Sequence, residues 1–273
     1  ALRPACVSKR TWYELERLGE GNVPAIRSFE PDRNGFASPV CYDRFKTLTG
    51  RLTVASGPQI LTLKREHRKM IRSLHGKDGT VVALDFAALE ARVLLYEHGR
   101  SCDDADLYAT IAKEVGHDRK AVKGAVISEL YGSSKSALGV YLGMQGKELD
   151  DFVKKVRTYF NTRELLKRIK QQFITTGKVI NRYGRHVTID EPLDHVMLAY
   201  YGQSTGVDIS MMGFMQVVDR LAVEAPRVRP VYLLHDAILL DVHKEDLPIV
   251  KAIDHVKVPG YVQKFILKME KVS

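Results

Sequence analysis

The chain has 273 residues, with 42 Lys or Arg against 33 Asp or Glu, a formal charge of +9 that suits a partner rich in phosphate groups. No apolar run is long enough to span a bilayer, and the first residues, ALRPACVSKR, lack the apolar core of a secretory signal, so an intracellular protein without a membrane partner is expected. Cys6, Cys41 and Cys102 are scattered, which excludes a disulfide framework or a cysteine zinc site.

No repeat or low-complexity linker divides the chain, so 1–273 is expected to be a single module. The start reads poorly: WYELERLGEG suits a short helix, but VPAIRSFEPDRNGFASP is broken by Pro, Gly, Asp and Asn. TLTGRLTVASGP sets Arg51 among turn residues, where a guanidinium could reach a base edge or a phosphate. LKREHRKMIR gathers Lys64, Arg65, Arg68, Lys69 and Arg72, either a track for a phosphate backbone or a plain solvated surface. From Thr80, TVVALDF predicts a buried strand and AALEARVLLYEHG a helix ending before Gly99, which puts Asp85 at a strand-to-helix corner.

DRKAVKGAVISELYG predicts a helix with Asp118 at its N-cap and Gly132 as its stop. Arg119, Lys123, Ile127 and Tyr131 recur at intervals of four, one stripe that starts cationic and ends apolar and aromatic. ELDDFVKKVRTYF, RELLKRIKQQFI and HVMLAYYGQSTGVDISMMGFMQVVDRLA predict further helices. PVYLLHDAILLDV predicts two strands joined at His235 and Asp236, residues that tolerate the positive φ of a tight turn. The last stretch, LPIVKAIDHVKVPGYVQKFILKMEKVS, is basic and amphipathic and is expected to pack on the sheet or to meet a partner. A small sheet among helices makes the class α+β.

Asp85 alone reads as a helix cap, and Asp236 alone as a turn residue. As a pair at strand ends, their carboxylates would converge if the strands are neighbours, and bound cations would relieve the repulsion. Two metal ions about 4 Å apart can activate an attacking oxygen and stabilise a leaving one. Arg119, Lys120 and Lys123 lie near a helix N-terminus, where the backbone dipole disfavours cations, so an anion such as a triphosphate is expected to compensate.

Taken in order, these segments resemble the polymerase domain of A-family DNA polymerases, from about Thr47 to about Lys244. TGRLTVASGPQI resembles the stretch at the thumb–palm junction, LDFAALEAR the first palm motif and RKAVKGAVISELYG the fingers helix. GQSTGVDI resembles the later palm helix and LLHDAILLDV the final palm hairpin. The resemblance implies a right-hand fold with an antiparallel palm sheet and helical fingers: 1–46 an N-terminal segment or thumb remnant, 47–98 and 187–273 palm, 99–186 fingers.

It also implies template-directed extension of a primer 3′-hydroxyl on DNA with deoxynucleoside triphosphates. Asp85 and Asp236 would hold two Mg²⁺ ions, with Mn²⁺ as the other candidate. Arg119 and Lys123 would bind the triphosphate, with Lys123 placed to protonate pyrophosphate. Tyr131 would lie beside the nascent base pair, and Glu90 would pair with it and block a ribose 2′-hydroxyl. Arg51, Gln203 and His235 match contacts to the primer terminus and minor groove, and Arg92 a supporting palm arginine on the DNA side. The chain departs from the family at Ala237, where an acidic residue is usual, at Ile127, where an aromatic one is usual, and at Ala87 and Ala88, where polar residues follow the strand. The short stretch before the first matched segment implies weak duplex grip unless a processivity or exonuclease partner protein supplies the missing surface. The alternatives are a catalytically silent DNA-binding subunit and a single-subunit RNA polymerase relative, the latter disfavoured by Glu90.

Overall fold

The computed structural model describes residues 1–18, 21–131 and 135–272, apart from the side chains of 129–131. Its main sheet contains β1 (Gly79–Phe86), β2 (Arg229–Leu233), β3 (Ala237–His243), β4 (His255–Val256) and β5 (Phe265–Lys271), in the spatial order β4-β5-β1-β3-β2. β1 pairs antiparallel with both β3 and β5, and β2 pairs antiparallel with β3. The run Val81–Leu84 is buried on both sides of the pleat, which is why it reads as continuous apolar sequence rather than as an alternation. Pro230 interrupts the β2 register with a shift, which is tolerated because β2 is an edge strand.

The chain forms two compact units, one of Ala1–Phe86, Ser210–Val256 and Ile266–Ser273, the other of Ala87–Ile209 and Lys257–Phe265. In the first unit the N-terminal residues, opaque in sequence, form a layer on one face of the sheet. Helix α1 (Lys9–Leu18) buries Trp12 and Leu15, and Trp12 Nε1 donates to the Ile26 carbonyl at 2.8 Å. These side chains share one core with Phe29, Met70, Val81, Ala83 and Leu239. On the opposite face Phe86 meets Phe214, ring centres 5.4 Å apart. Gly213 permits that approach, since a Cβ there would lie 2.7 Å from the Phe86 ring and 3.0 Å from Val256.

The second unit is helical: α2 (Leu89–Glu97), α3 (Leu107–Val115), α4 (Arg119–Tyr131), α5 (Lys135–Leu142), α6 (Gly146–Phe160), α7 (Arg163–Thr176) and the first half of the long helix α8 (Asp194–Glu224). Leu149, Phe152, Val153, Val156 and Phe160 form the buried stripe of α6 at helical spacing. Gly202 and Gly206 let α8 lie against Leu94 and Leu89 of α2, with contacts of 3.6–3.7 Å to where their Cβ atoms would be. That packing accounts for α2 and the first half of α8 belonging to this unit.

The segment from Leu247 onward, readable only as amphipathic, supplies β4 and β5 to the sheet. Among the described non-glycine residues, positive φ occurs at Ala88 and Asn161, so the turn at His235 and Asp236 forms without the left-handed backbone expected there. Asp85 is not the cap of α2 either. Ala88 is the N-cap, at φ 54° and ψ 47°, with no side-chain cap bond. A methyl group in that region costs about 1 kcal/mol. Ala88→Gly is therefore expected to stabilise the protein by about 0.5 kcal/mol after the added flexibility of the unfolded chain is counted. Urea titration checks this, and a lowered midpoint would contradict it. Among the described residues no helix is long and apolar enough to cross a membrane.

Candidate active site

The first unit sets the two aspartates side by side. Asp85 pairs across the sheet with Ala237, and the Phe86 amide donates to the Asp236 carbonyl at 2.9 Å. Asp236 therefore leaves the hairpin one residue before the partner of Asp85, at the same end of adjacent antiparallel strands. Burial raises the Asp85 carboxyl to a pKa of about 7, helped by the charges of Asp236 and Glu270 and opposed by Arg65 and Arg68. Asp236 has solvent-accessible surface at the turn, yet enough protein surrounds its carboxyl for desolvation to raise it too, while His235 and Arg51 pull it back.

Arg51 reaches this electrostatic neighbourhood from a turn in which Gly50 takes φ 77° and its amide donates to the Thr47 carbonyl at 3.1 Å. Asp85, Asp236, His235 and Arg51 thus lie in the first unit, whereas Gln203, expected beside Arg51 and His235, lies in the second. Sequence inspection missed Glu270. It lies on β5 opposite Ala83, on the same face as Asp85, and accepts from Arg65 Nη2 at 2.7 Å. Arg65 and Arg68, readable as plain surface, turn inward electrostatically, and the Arg68 Nε is buried without a hydrogen-bond partner. Ala237, where the resemblance implies an acidic side chain, is buried directly opposite Asp85.

This donor set fits a divalent cation. Two carboxylates share one end of a strand pair, and the repulsion that raises Asp85 is what a bound cation would remove. Among the described residues there is no cluster of three or more His, Cys, Asp or Glu ligands. Mg²⁺ commonly binds through one or two carboxylates with water and substrate phosphate completing its shell, so Asp85 and Asp236 are sufficient protein ligands for it.

The second unit carries the cationic stripe. Asp118 caps α4 as expected, its Oδ1 accepting from the Lys120 and Ala121 amides at 2.8 and 2.9 Å. Ala121, Val122, Ala125 and Val126 bury one face, leaving Arg119, Lys123 and Ile127 exposed along the other. Arg119 Nε donates to Asp106 at 2.6 Å, and its guanidinium lies 5.9 Å from the Tyr108 ring centre. Burial raises the Tyr108 phenol, with Glu90 adding to the shift and Arg119 opposing it, so Tyr108 links the first turn of α2 to the cationic helix. No local signal in the sequence marked Tyr108.

The Tyr131 side chain and Gly132 lie outside the described residues. Gln203 is half-buried on the first half of α8. Arg92 corrects an expectation: it is 1% exposed and donates to the carbonyls of Ala87, Cys102 and Asp104. A guanidinium so enclosed anchors the start of α2 to the 102–104 loop and has no surface for nucleic acid.

No family model matches the chain. It is 25% identical, over an alignment 260 residues long, to a DNA polymerase of Bacillus phage SP01, covering 79% of this chain and 28% of the phage protein. Its structure matches the polymerase domain of Pol1 from M. smegmatis, solved in complex with DNA primer-template and dNTP. The TM-score is 0.67 at 15% identity over 99% of this chain and 57% of that one. The chain thus spans about a quarter of the phage relative and just over half of the solved domain.

Proposed function

We propose, from its A-family polymerase fold and the aspartate pair of its sheet, that this chain is the polymerase module of a DNA-directed DNA polymerase. It extends a primer 3′-hydroxyl with deoxynucleoside triphosphates on a template strand. The observation that carries this reading is the register of Asp85 against Ala237, with Asp236 next to it at the same strand end. In this assignment 47–98 and 187–273 serve as palm and 99–186 as fingers.

Asp85 and Asp236 would hold the divalent ions, which would supply charge stabilisation to the oxygens of an in-line displacement. Arg119 and Lys123, on one face of α4, take the triphosphate, and Arg119 exchanges its bond to Asp106 for phosphate oxygens. Lys123, exposed and one turn along, is the group that gives a proton to pyrophosphate. Glu90 and Tyr131 select against a 2′-hydroxyl, and Arg51, Gln203 and His235 contact the primer terminus and the minor groove.

Primer extension on a short template with Mg²⁺, comparing deoxy- and ribonucleotides, tests this. Template-directed deoxynucleotide addition that disappears in Asp85→Ala and in Asp236→Ala supports it. Retained primer-template binding with no extension by the unaltered chain would replace it with a DNA-binding subunit.

A further inference from the structure

We infer that Tyr141, on α5, forms the base-facing wall of the nucleotide groove beside α4, a role that Ile127 cannot fill. The inference rests on the polymerase reading and adds the residue that recognises the nucleobase. A groove of about 500 Å³ runs between α4 and α5, its walls including Arg119, Lys120, Lys123, Gly124, Ile127 and Tyr141. That is within the usual size of a small-molecule site. The cations on its α4 side suit a polyphosphate, and the ring on its α5 side suits a base.

The ring is held in place by the helix it faces. A Cβ at Gly124 would lie 2.8 Å from Tyr141 Cε1, so only glycine lets the ring rest directly on the α4 backbone. The Lys120 ammonium sits 5.7 Å from the ring centre, a cation–π distance that fixes the ring further. Both contacts come from one face of α4, and Tyr141 keeps 58% of its surface exposed, leaving ring surface open for stacking. Glycine inside a helix is unfavourable for helix formation, so its presence at this contact is explained by the ring it admits. Ile127 lines the same groove, 39% exposed, and offers no π face. Base-on-aromatic stacking tolerates every base, as template-directed incorporation requires.

The test is calorimetric titration of the full chain, without DNA, using dATP and inorganic triphosphate as separate probes. Tyr141→Ala is expected to weaken dATP about 10-fold and to leave inorganic triphosphate within about 2-fold, and Tyr141→Phe to retain both, as stacking predicts. Gly124→Ala is expected to raise the thermal midpoint through helix propensity while weakening dATP, a combination that a purely structural role for the Gly124–Tyr141 contact would not give. Equal Kd values for dATP in the parent and Tyr141→Ala proteins, or equal weakening of both probes, would overturn the inference. Primer extension by the unaltered chain reports separately on the polymerase reading: activity alongside Tyr141-independent dATP binding sinks only the present inference. Tyr141-dependent binding without extension sinks only the polymerase.

Discussion

Asp85→Asn is expected to abolish primer extension, by about three orders of magnitude or more, and at the same time to make the metal-free protein more stable above pH 7. The two effects share a cause. The folded Asp85 carboxyl has a pKa of about 7 because burial and the neighbouring Asp236 and Glu270 disfavour its charge. In the unfolded chain an aspartate titrates near 4. Below about pH 4 both states are protonated and nothing is lost. Between there and pH 7 the folded state holds the extra proton, so unfolding becomes easier as pH rises, and above pH 7 the penalty is complete. Because the carboxyl is partly solvated, about 2 kcal/mol is a reasonable size for the full penalty after screening.

Asparagine keeps the shape and carries no charge, so thermal melts in chelator should show the variant above the parent at pH 8 and level with it at pH 4. Saturating Mg²⁺ should narrow the gap by stabilising the parent, since a ligand of the folded state shifts stability by mass action. Parallel pH profiles for the two proteins in chelator would show that Asp85 is not strained by its neighbours, and the case for a cation site built on that strain would fail.

The parts of the site that were legible in sequence are those set by local pattern. TVVALDF is a strand by its composition, Asp85 is placed by the helix that follows, and Asp118 announces α4 by the cap it forms. The hairpin that carries Asp236 was marked by apolar runs on either side of His235 and Asp236, although its turn needed no left-handed residue. Glu270 was invisible for a different reason. Its influence on Asp85 comes from the pairing of β5 with β1, and no pattern within KFILKMEKV states which strand it will join. The strand itself had left a trace, since Phe265, Leu267 and Met269 alternate, but Ile266 between them and the lysines Lys264, Lys268 and Lys271 made the segment read as basic and amphipathic. Resemblance places Arg92 on the DNA side, without regard to the burial that its neighbours imply. Its neighbours Ala91, Val93, Leu94, Leu95 and Tyr96 are all buried, so α2 has little solvent face on which an arginine could stand.

Glu97→Ala is expected to destabilise the helical unit by about 3 kcal/mol, the largest stability loss foreseen for a side chain outside the site. Glu97 ends α2, where a negative charge is opposed by the helix dipole, so its position must be compensated from elsewhere. Its side chain is 1% exposed and meets Arg168 of α7 at 2.5 Å and Arg182 at 3.8 Å. The Tyr261 hydroxyl donates to it at 2.7 Å, and Arg168 also donates to the Tyr201 hydroxyl at 3.1 Å. One carboxylate thereby ties α2 to α7, to α8, to the turn after Ile180 and to the 257–265 segment.

Alanine would leave the Tyr261 hydroxyl without its acceptor and both guanidiniums without their counter-charge. The arginines are about 40% exposed and can recruit water, which holds the cost at the lower end of the range for a broken buried pair. Glu97→Gln keeps an acceptor for Tyr261 and should recover about 1 kcal/mol of the loss. Urea unfolding of the two variants beside the parent measures both numbers. A change below 1 kcal/mol for alanine would mean that the three partners repack without the carboxylate, and that the unit is held by its apolar stripes alone.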